Sequence, residues 1–232
     1  MTKQNFYITK AGRLRRQHDT IRFEHEEGHR FLPVNQIEAF YVFTSVDFNT
    51  NLVDFLSQQG IPMHIFNYYG WYSGSFLPRN RLISGPVLIK QAVASDSPEL
   101  RLPIAKEMLN GAAANILKNV QQFRRDGYLP MTDEEMNELH RMRDDLKRTT
   151  SISELMGIEG VMRRIYYELI DHVMEERAPD FVMDTRVRRP PNNKMNALIS
   201  FVNSLVYATA LNQIFRTHLH PAISFLHEPQ DR

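Results

Sequence analysis

Residues 151–173 read SISELMGIEGVMRRIYYELIDHV, and their spacing sets the class of the second part of the chain. Leu155, Ile158, Met162, Ile165, Leu169 and Val173 recur at the period of one helix face. The stripe predicts a long helix with its apolar side in a core. Ser151 and Glu154 form a capping box in front of it, so the helix starts there and is expected to reach about Glu176. Glu159 lies one turn after Leu155, at the edge of the buried face. Gly157 and Gly160 flank it, and each glycine costs a helix interior about 1 kcal/mol relative to alanine. Two readings follow. Another backbone or a ligand approaches the carboxylate closely, or the glycines make room for a crossing helix beside a surface glutamate. Further along, Tyr166 and Tyr167 are suited to stacking on bases or touching phosphates, or to packing in the core.

Outward from this helix the pattern stays helical. Thr132 and Glu135 form a second capping box before a heavily charged segment, Asp133 to Arg148. Ser97-Pro98 opens a long helix that Gly127 closes, with proline in the first turn where its missing N–H does no harm. Leu82, Val87, Leu88 and Val93 suggest a helix with Gly85-Pro86 inside it. A last helix is expected from about Asn193 to Arg216.

Before Pro78 the pattern is different. Phe6-Tyr7-Ile8, Thr20-Ile21-Arg22-Phe23, Ala39-Phe40-Tyr41-Val42-Phe43 and Ile61 to Phe66 are short aromatic and β-branched runs between polar or glycine turns. Thr50 is placed to cap a short helix that Gly60 ends, and Tyr68 to Phe76 makes an aromatic hairpin-like stretch. The fold class expected is α+β. A β-rich domain covers residues 1–77, a linker 78–81, and an all-helical domain 82–232.

Composition narrows the chemistry. The 232 residues carry a net charge of +1, so a nucleic-acid surface would have to be a local patch. With no cysteine there is no disulfide, thiolate metal site or cysteine nucleophile. There is no phosphate loop, dinucleotide fingerprint, H-E-x-x-H helix or nucleophile elbow. No signal peptide and no apolar run long enough to span a membrane is read, so a soluble, cytoplasmic protein is expected.

Two further stretches carry candidate groups. Arg186-Val187-Arg188-Arg189-Pro190-Pro191 is a basic loop stiffened by proline, with Lys194 behind it. Guanidinium groups on a rigid loop suit phosphate oxygens, although such runs are commonly solvated linkers. Asn196 is placed to cap a turn or to bond a phosphate. The tail THLHPAISFLHEPQDR holds His218, His220 and His227, and His227 follows an apolar segment that would fix its position.

In order along the chain, Asn67-Tyr68-Tyr69-Gly70-Trp71-Tyr72, Leu155-Met156-Gly157-Ile158-Glu159-Gly160, Arg188-Arg189-Pro190-Pro191 with Asn196, and Pro221 to His227 resemble the CRISPR-associated integrase family, the Cas-one endonucleases of spacer acquisition. The resemblance covers essentially the whole sequence. It implies a β-rich N-terminal domain, a helical catalytic domain, and a homodimer formed largely through the N-terminal domains. It implies DNA and a Cas-two protein as partners, and Mg²⁺ or Mn²⁺ as cofactor. The family's metal-site glutamate falls on Glu159 and its histidine on His227. Its third ligand, an aspartate in a following Leu-Asp-rich helix, has no counterpart here, since Asp231 lacks that context. The sequence is therefore expected to be a truncated chain, a proteolysed product or only the ordered part of a longer one, with the metal site incomplete as it stands. The implied reaction is attack of a DNA 3′-hydroxyl on a phosphodiester. Arg163, Arg164, Tyr166, Arg186, Arg188, Arg189, Lys194 and Asn196 are the expected DNA contacts. A non-catalytic DNA-binding or assembly platform is the alternative, and an unrelated metal-dependent nuclease a third reading.

Overall fold

The structure is a computed structural model that describes residues 3–79 and 84–228. Eight strands and six α-helices follow in the order β1 (Gln4–Ile8), β2 (Gly12–Gln17), β3 (Thr20–His25), β4 (Gly28–Pro33), β5 (Ile37–Val42), β6 (Val46–Asp47), α1 (Thr50–Gln59), β7 (Met63–Phe66), β8 (Tyr72–Phe76), α2 (Gly85–Asp96), α3 (Pro98–Arg125), α4 (Asp133–Arg148), α5 (Ile152–Arg177) and α6 (Lys194–Phe215). Strands come first and long helices after, as the α+β reading expects.

The strands form two sheets, ordered β1-β5-β7-β8 and β4-β3-β2-β6. In the first, β5 runs parallel to both β1 and β7, and β8 closes as an antiparallel hairpin on β7. Leu14, Ile21 and Leu32 from the second sheet share a core with Ile8, Phe40 and Met63 from the first and with Leu52, Phe55 and Leu56 of α1. On the other face of the first sheet, Ala39, Tyr41 and Phe66 pack with Leu205 and Ala208 of α6. β5 is thus covered on both faces, which is why Ala39 to Val42 read as an unbroken apolar run and not as an alternation. The Tyr41 hydroxyl bonds Thr209 Oγ1 at 3.0 Å, and Arg216 pairs with Glu38 at 2.5 Å. His64 on β7 is fully buried, its Nδ1 2.6 Å from Ser75 Oγ.

The helical core has two parts. Ala105, Leu109 and Ala113 of α3 meet Leu146 of α4 and Leu155 and Met162 of α5. Farther along, Leu117 and Val120 meet Met136, Leu139 and Val173. The six-residue stripe of α5 lies wholly in these clusters.

Several expectations change. The chain divides into one unit holding the residues up to 79 and Ile199–His218, and another holding Ser84–Leu198 and 219–228. The single boundary read at 77–82 gives way to this split because Leu205 and Ala208 belong to the core of the sheets. The expected linker residues Asn80 and Arg81 and the stripe residue Leu82 lie outside the described residues. Asn49, not Thr50, caps α1, since its Oδ1 accepts the Leu52 N–H at 3.1 Å. Gly85-Pro86 begins α2 and does not interrupt it, because proline fits a first turn. β2 and β4 were not read as strands. Finally, α6 is long and apolar enough to cross a membrane by length and composition alone, with mean hydropathy 1.3 over its best window. The expectation that no such run exists does not hold for it.

Candidate functional site

Ser151 caps α5 as expected, its Oγ accepting the Glu154 N–H at 3.2 Å. Glu154 reaches one residue farther back than the box requires and accepts the Thr150 N–H at 2.7 Å. That bond holds its carboxyl below the usual range. A turn later comes Glu159, with 17% of its side chain exposed and ion-paired to Arg163. A Cβ added at Gly157 or Gly160 would meet nothing within 4 Å. Among the described residues no helix crosses here and no other backbone approaches the glycines. The glycines leave the surface of α5 bare beside the carboxylate. Gly157 lines an open groove of about 570 Å³ with Met142, Thr149, Ile158 and Val161.

His227 approaches the same end of the helical unit. Leu226, the residue before it, packs into the cluster that contains Leu155, Ile158 and Met162. The His227 N–H donates to Ser224 Oγ at 3.1 Å, while its imidazole is exposed. The core side of α5 that brackets Glu159 is thus the side on which the tail is anchored. His220 belongs to the tail's backbone bonding, with its N–H donating to Gln91 Oε1 at 2.8 Å. His218 falls in the strand-rich unit. Among the described residues no group of three or more His, Asp or Glu is placed to hold a metal ion.

The basic loop is held by Asn196 and by two groups that the sequence did not single out, Asp171 and Asn193. The Asp171 carboxylate of α5 accepts the N–H groups of Met183 at 2.7 Å and Asp184 at 2.8 Å. Asn193 Nδ2 donates to Met183 O at 2.8 Å. Asn196 is fully buried. Its Oδ1 accepts from Arg186 at 2.9 Å and from the Val187 N–H at 3.0 Å, and its Nδ2 donates to Thr185 O at 2.8 Å and Asn192 Oδ1 at 2.7 Å. Both amide protons are engaged, so Asn196 organises the loop and has no donor left for a phosphate. Of its two expected roles, the backbone bonds to Val187 and Thr185 correspond to the capping one.

The expected DNA contacts separate accordingly. Arg188 and Arg189 are exposed at the tip of the loop. Arg186 is turned inward to Asn196 and Val187 O, and Lys194 pairs with Asp180. That lysine holds the Asp180 carboxyl below its usual range. Arg163 pairs with Glu159, and Arg164 with Glu168 at 2.8 Å. Tyr166 packs in the helical core, where its hydroxyl accepts from Asn119 Nδ2 at 2.9 Å. Of its two readings, the structure shows the packing one.

The arrangement defines an α+β protein with a strand-rich unit and a helical unit, the latter presenting a carboxylate on a bared helix and a basic loop. A family model described as CRISPR associated protein Cas1 matches residues 6–232. The "CRISPR-associated endonuclease Cas1 3" of Thermodesulfovibrio yellowstonii is 41% identical over 230 residues, 99% of this chain and 68% of that protein. The "CRISPR-associated protein Cas1 1" of Methanobrevibacter ruminantium is 39% identical, over 100% of this chain and 68% of that one. A solved CAS1 protein from Thermotoga maritima superimposes with a TM-score of 0.82 at 38% identity, covering 98% of this chain and 70% of that one. A casposase bound to integration product, 19% identical with a TM-score of 0.76 over 100% of this chain and 66% of that one, shares the fold. The chain belongs to the Cas1 family, as the ordered motifs around Glu159 implied.

Proposed function

We propose that the chain serves as a DNA endonuclease and integrase of CRISPR adaptation, with Glu159 and His227 as its reacting-site residues. The observation that carries this reading is the anchoring of Leu226, next to His227, in the α5 cluster that brackets Glu159. Several relatives are named endonucleases, which supports the same activity here.

The reaction is phosphoryl transfer. The 3′-hydroxyl oxygen of an incoming strand attacks phosphorus in the target, a new P–O bond forms, and the P–O bond to the target's own 3′-oxygen breaks. That oxygen leaves and takes up a proton, so the number of phosphodiesters is unchanged. Water in place of the hydroxyl gives strand cleavage. Neither path needs a protein nucleophile or a bound nucleotide, in keeping with a sequence that has no cysteine, no phosphate loop and no nucleophile elbow.

A carboxylate and an imidazole fit Mg²⁺ or, better, Mn²⁺ in kind, with water and phosphate oxygens to complete the shell, and Arg163 is the group paired with the carboxylate in this structure. When bound, such an ion would polarise the phosphate. This chain's own contributions are the exposed Arg188 and Arg189, which suit a phosphate backbone, and the bare glycine surface, which lets a strand approach Glu159 without steric hindrance. We include in the proposal a cytoplasmic homodimer formed through the N-terminal units, acting with a Cas2 partner. A distant structural neighbour is a Cas6-RT-Cas1–Cas2 complex.

Glu159→Ala is expected to abolish strand transfer while leaving the circular-dichroism spectrum and melting unchanged. Full strand transfer by a folded Glu159→Ala protein would overturn the assignment. The ion pair that Arg163 makes with the Glu159 carboxylate favours, as a second reading, a DNA-binding platform without catalysis. Titrating Mn²⁺ into a strand-transfer assay separates the two, because a platform retains DNA and turns nothing over.

A further inference from the structure

Residues 219–228 hold no helix or strand, yet α2 and α3 take up their backbone groups in succession. Gln91, only 7% exposed, donates through Nε2 to His220 O at 3.1 Å and Ile223 O at 3.4 Å, and its Oε1 accepts the His220 N–H. One turn later Ser95 Oγ donates to Ser224 O at 2.5 Å. Arg101 then donates from Nε to Phe225 O at 2.9 Å and from one terminal nitrogen to His227 O at 3.1 Å. It also pairs with Glu228 at 3.1 Å, with 11% of its own side chain exposed.

These contacts share one feature: apart from the ion pair to Glu228, every partner is main chain. Bonds to carbonyls fix the course of a segment and leave its side chains uncommitted. A fork of guanidinium donors suits this task, since it reaches successive carbonyls from one rigid plane. A largely buried cation also resists losing its partners, because an uncompensated buried charge is strongly destabilising. The outcome is a tail whose backbone is fixed at residues 220, 223, 224, 225 and 227 while the His227 imidazole stays exposed.

We propose that Gln91 and Arg101 are positioning residues for His227, setting where its imidazole sits relative to α5 by holding the tail's carbonyls. The inference rests on the reading that His227 acts at the Glu159 site, and its test keeps the two apart. Amide hydrogen exchange and histidine-ring NMR are recorded on wild type, Arg101→Ala and Gln91→Leu, with Mn²⁺ alone as the probe. In Arg101→Ala, exchange of the His227 and neighbouring tail amides is expected to rise at least about tenfold, while the α5 amides are unchanged. Broadening of the His227 ring signal by Mn²⁺ is expected to fall in parallel. Low, non-denaturing guanidinium should restore both, and the same concentration of sodium chloride should not. Should Arg101→Ala fail to fold, Gln91→Leu carries the same readouts. Tail exchange and ring broadening equal to wild type in a folded variant would overturn the positioning role. A wild-type protein whose His227 ring ignores Mn²⁺ would instead overturn the metal reading, with exchange still deciding the clamp.

Discussion

Asn196→Ala tests whether one buried side chain holds the basic loop. The amide makes four bonds, accepting from Arg186 and Val187 and donating to Thr185 O and Asn192. A neutral bond contributes about 1 kcal/mol net, and one to a charged group about 1.5–3 kcal/mol. The sum is roughly 4–6 kcal/mol. Truncation also admits water, which re-solvates part of what is lost, so a net loss of about 3 kcal/mol is the expected outcome. Urea unfolding gives the total, and exchange at the Val187 amide gives the local share. Asn196→Asp sharpens the test, since it keeps both acceptor contacts, including the charged one, and loses both donors. It should be milder than alanine at the Arg186 side and should still free Thr185 O. A loss below about 1 kcal/mol, with the Val187 amide protected as in wild type, would refute the reasoning.

Three other perturbations rest on the same structure. Burial pushes His64 from 6.5 down to about 4, so the fold favours its neutral form and that contribution is complete above pH 6.5 and lost as pH falls toward 4. The shift corresponds to about 3 kcal/mol at most; urea midpoints of wild type should fall across this window, and those of His64→Gln should fall less. Gly70 holds φ +76°, and a Cβ there would lie 2.6 Å from the Phe201 ring. Gly70→Ala should therefore lower stability by about 1–3 kcal/mol, and an unchanged melting temperature would count against that turn geometry. Arg188→Ala should weaken DNA binding and reduce the slope of log K against log salt by about one unit, whereas an unchanged slope would exclude a phosphate contact at that residue.

What was legible in the sequence follows the physics of each element. α3, α4 and α5 announced themselves through their capping residues, and α5 through its apolar stripe as well. β5 and β7 did so because their aromatic runs are buried. β2, reading GRLRRQ, did not, because only Leu14 of it is buried and Arg16 covers the Phe55 ring at 4.2 Å. A strand with one inward side chain offers no alternation to detect. The glycines around Glu159 were legible as unusual but not in their effect: the pattern suggested close approach, and the structure shows open surface. Asp171, Asn193 and Gln91 gave no signal, since each acts on backbone brought back by the fold from 10 to 132 residues away.

The placement of Asp171 gives α5 a second task. The helix carries Glu159 near its start and, twelve residues on, the carboxylate that holds the basic loop by the N–H groups of Met183 and Asp184. At about 1.5 Å per residue those two points lie roughly 18 Å apart along a rigid axis. A duplex rises about 3.4 Å per step on each strand, so the separation corresponds to roughly five nucleotide steps. A loop tethered by a flexible linker would let cationic groups and reacting carboxylate vary in spacing. A loop whose base is bonded to the same helix varies less, because its Met183-Asp184 end cannot leave Glu159 without breaking the Asp171 bonds or bending α5. On the proposed function, the base of the loop that presents Arg188 and Arg189 is therefore held at a set distance from Glu159. Asp171 then contributes to where a strand is joined without approaching the phosphate that reacts.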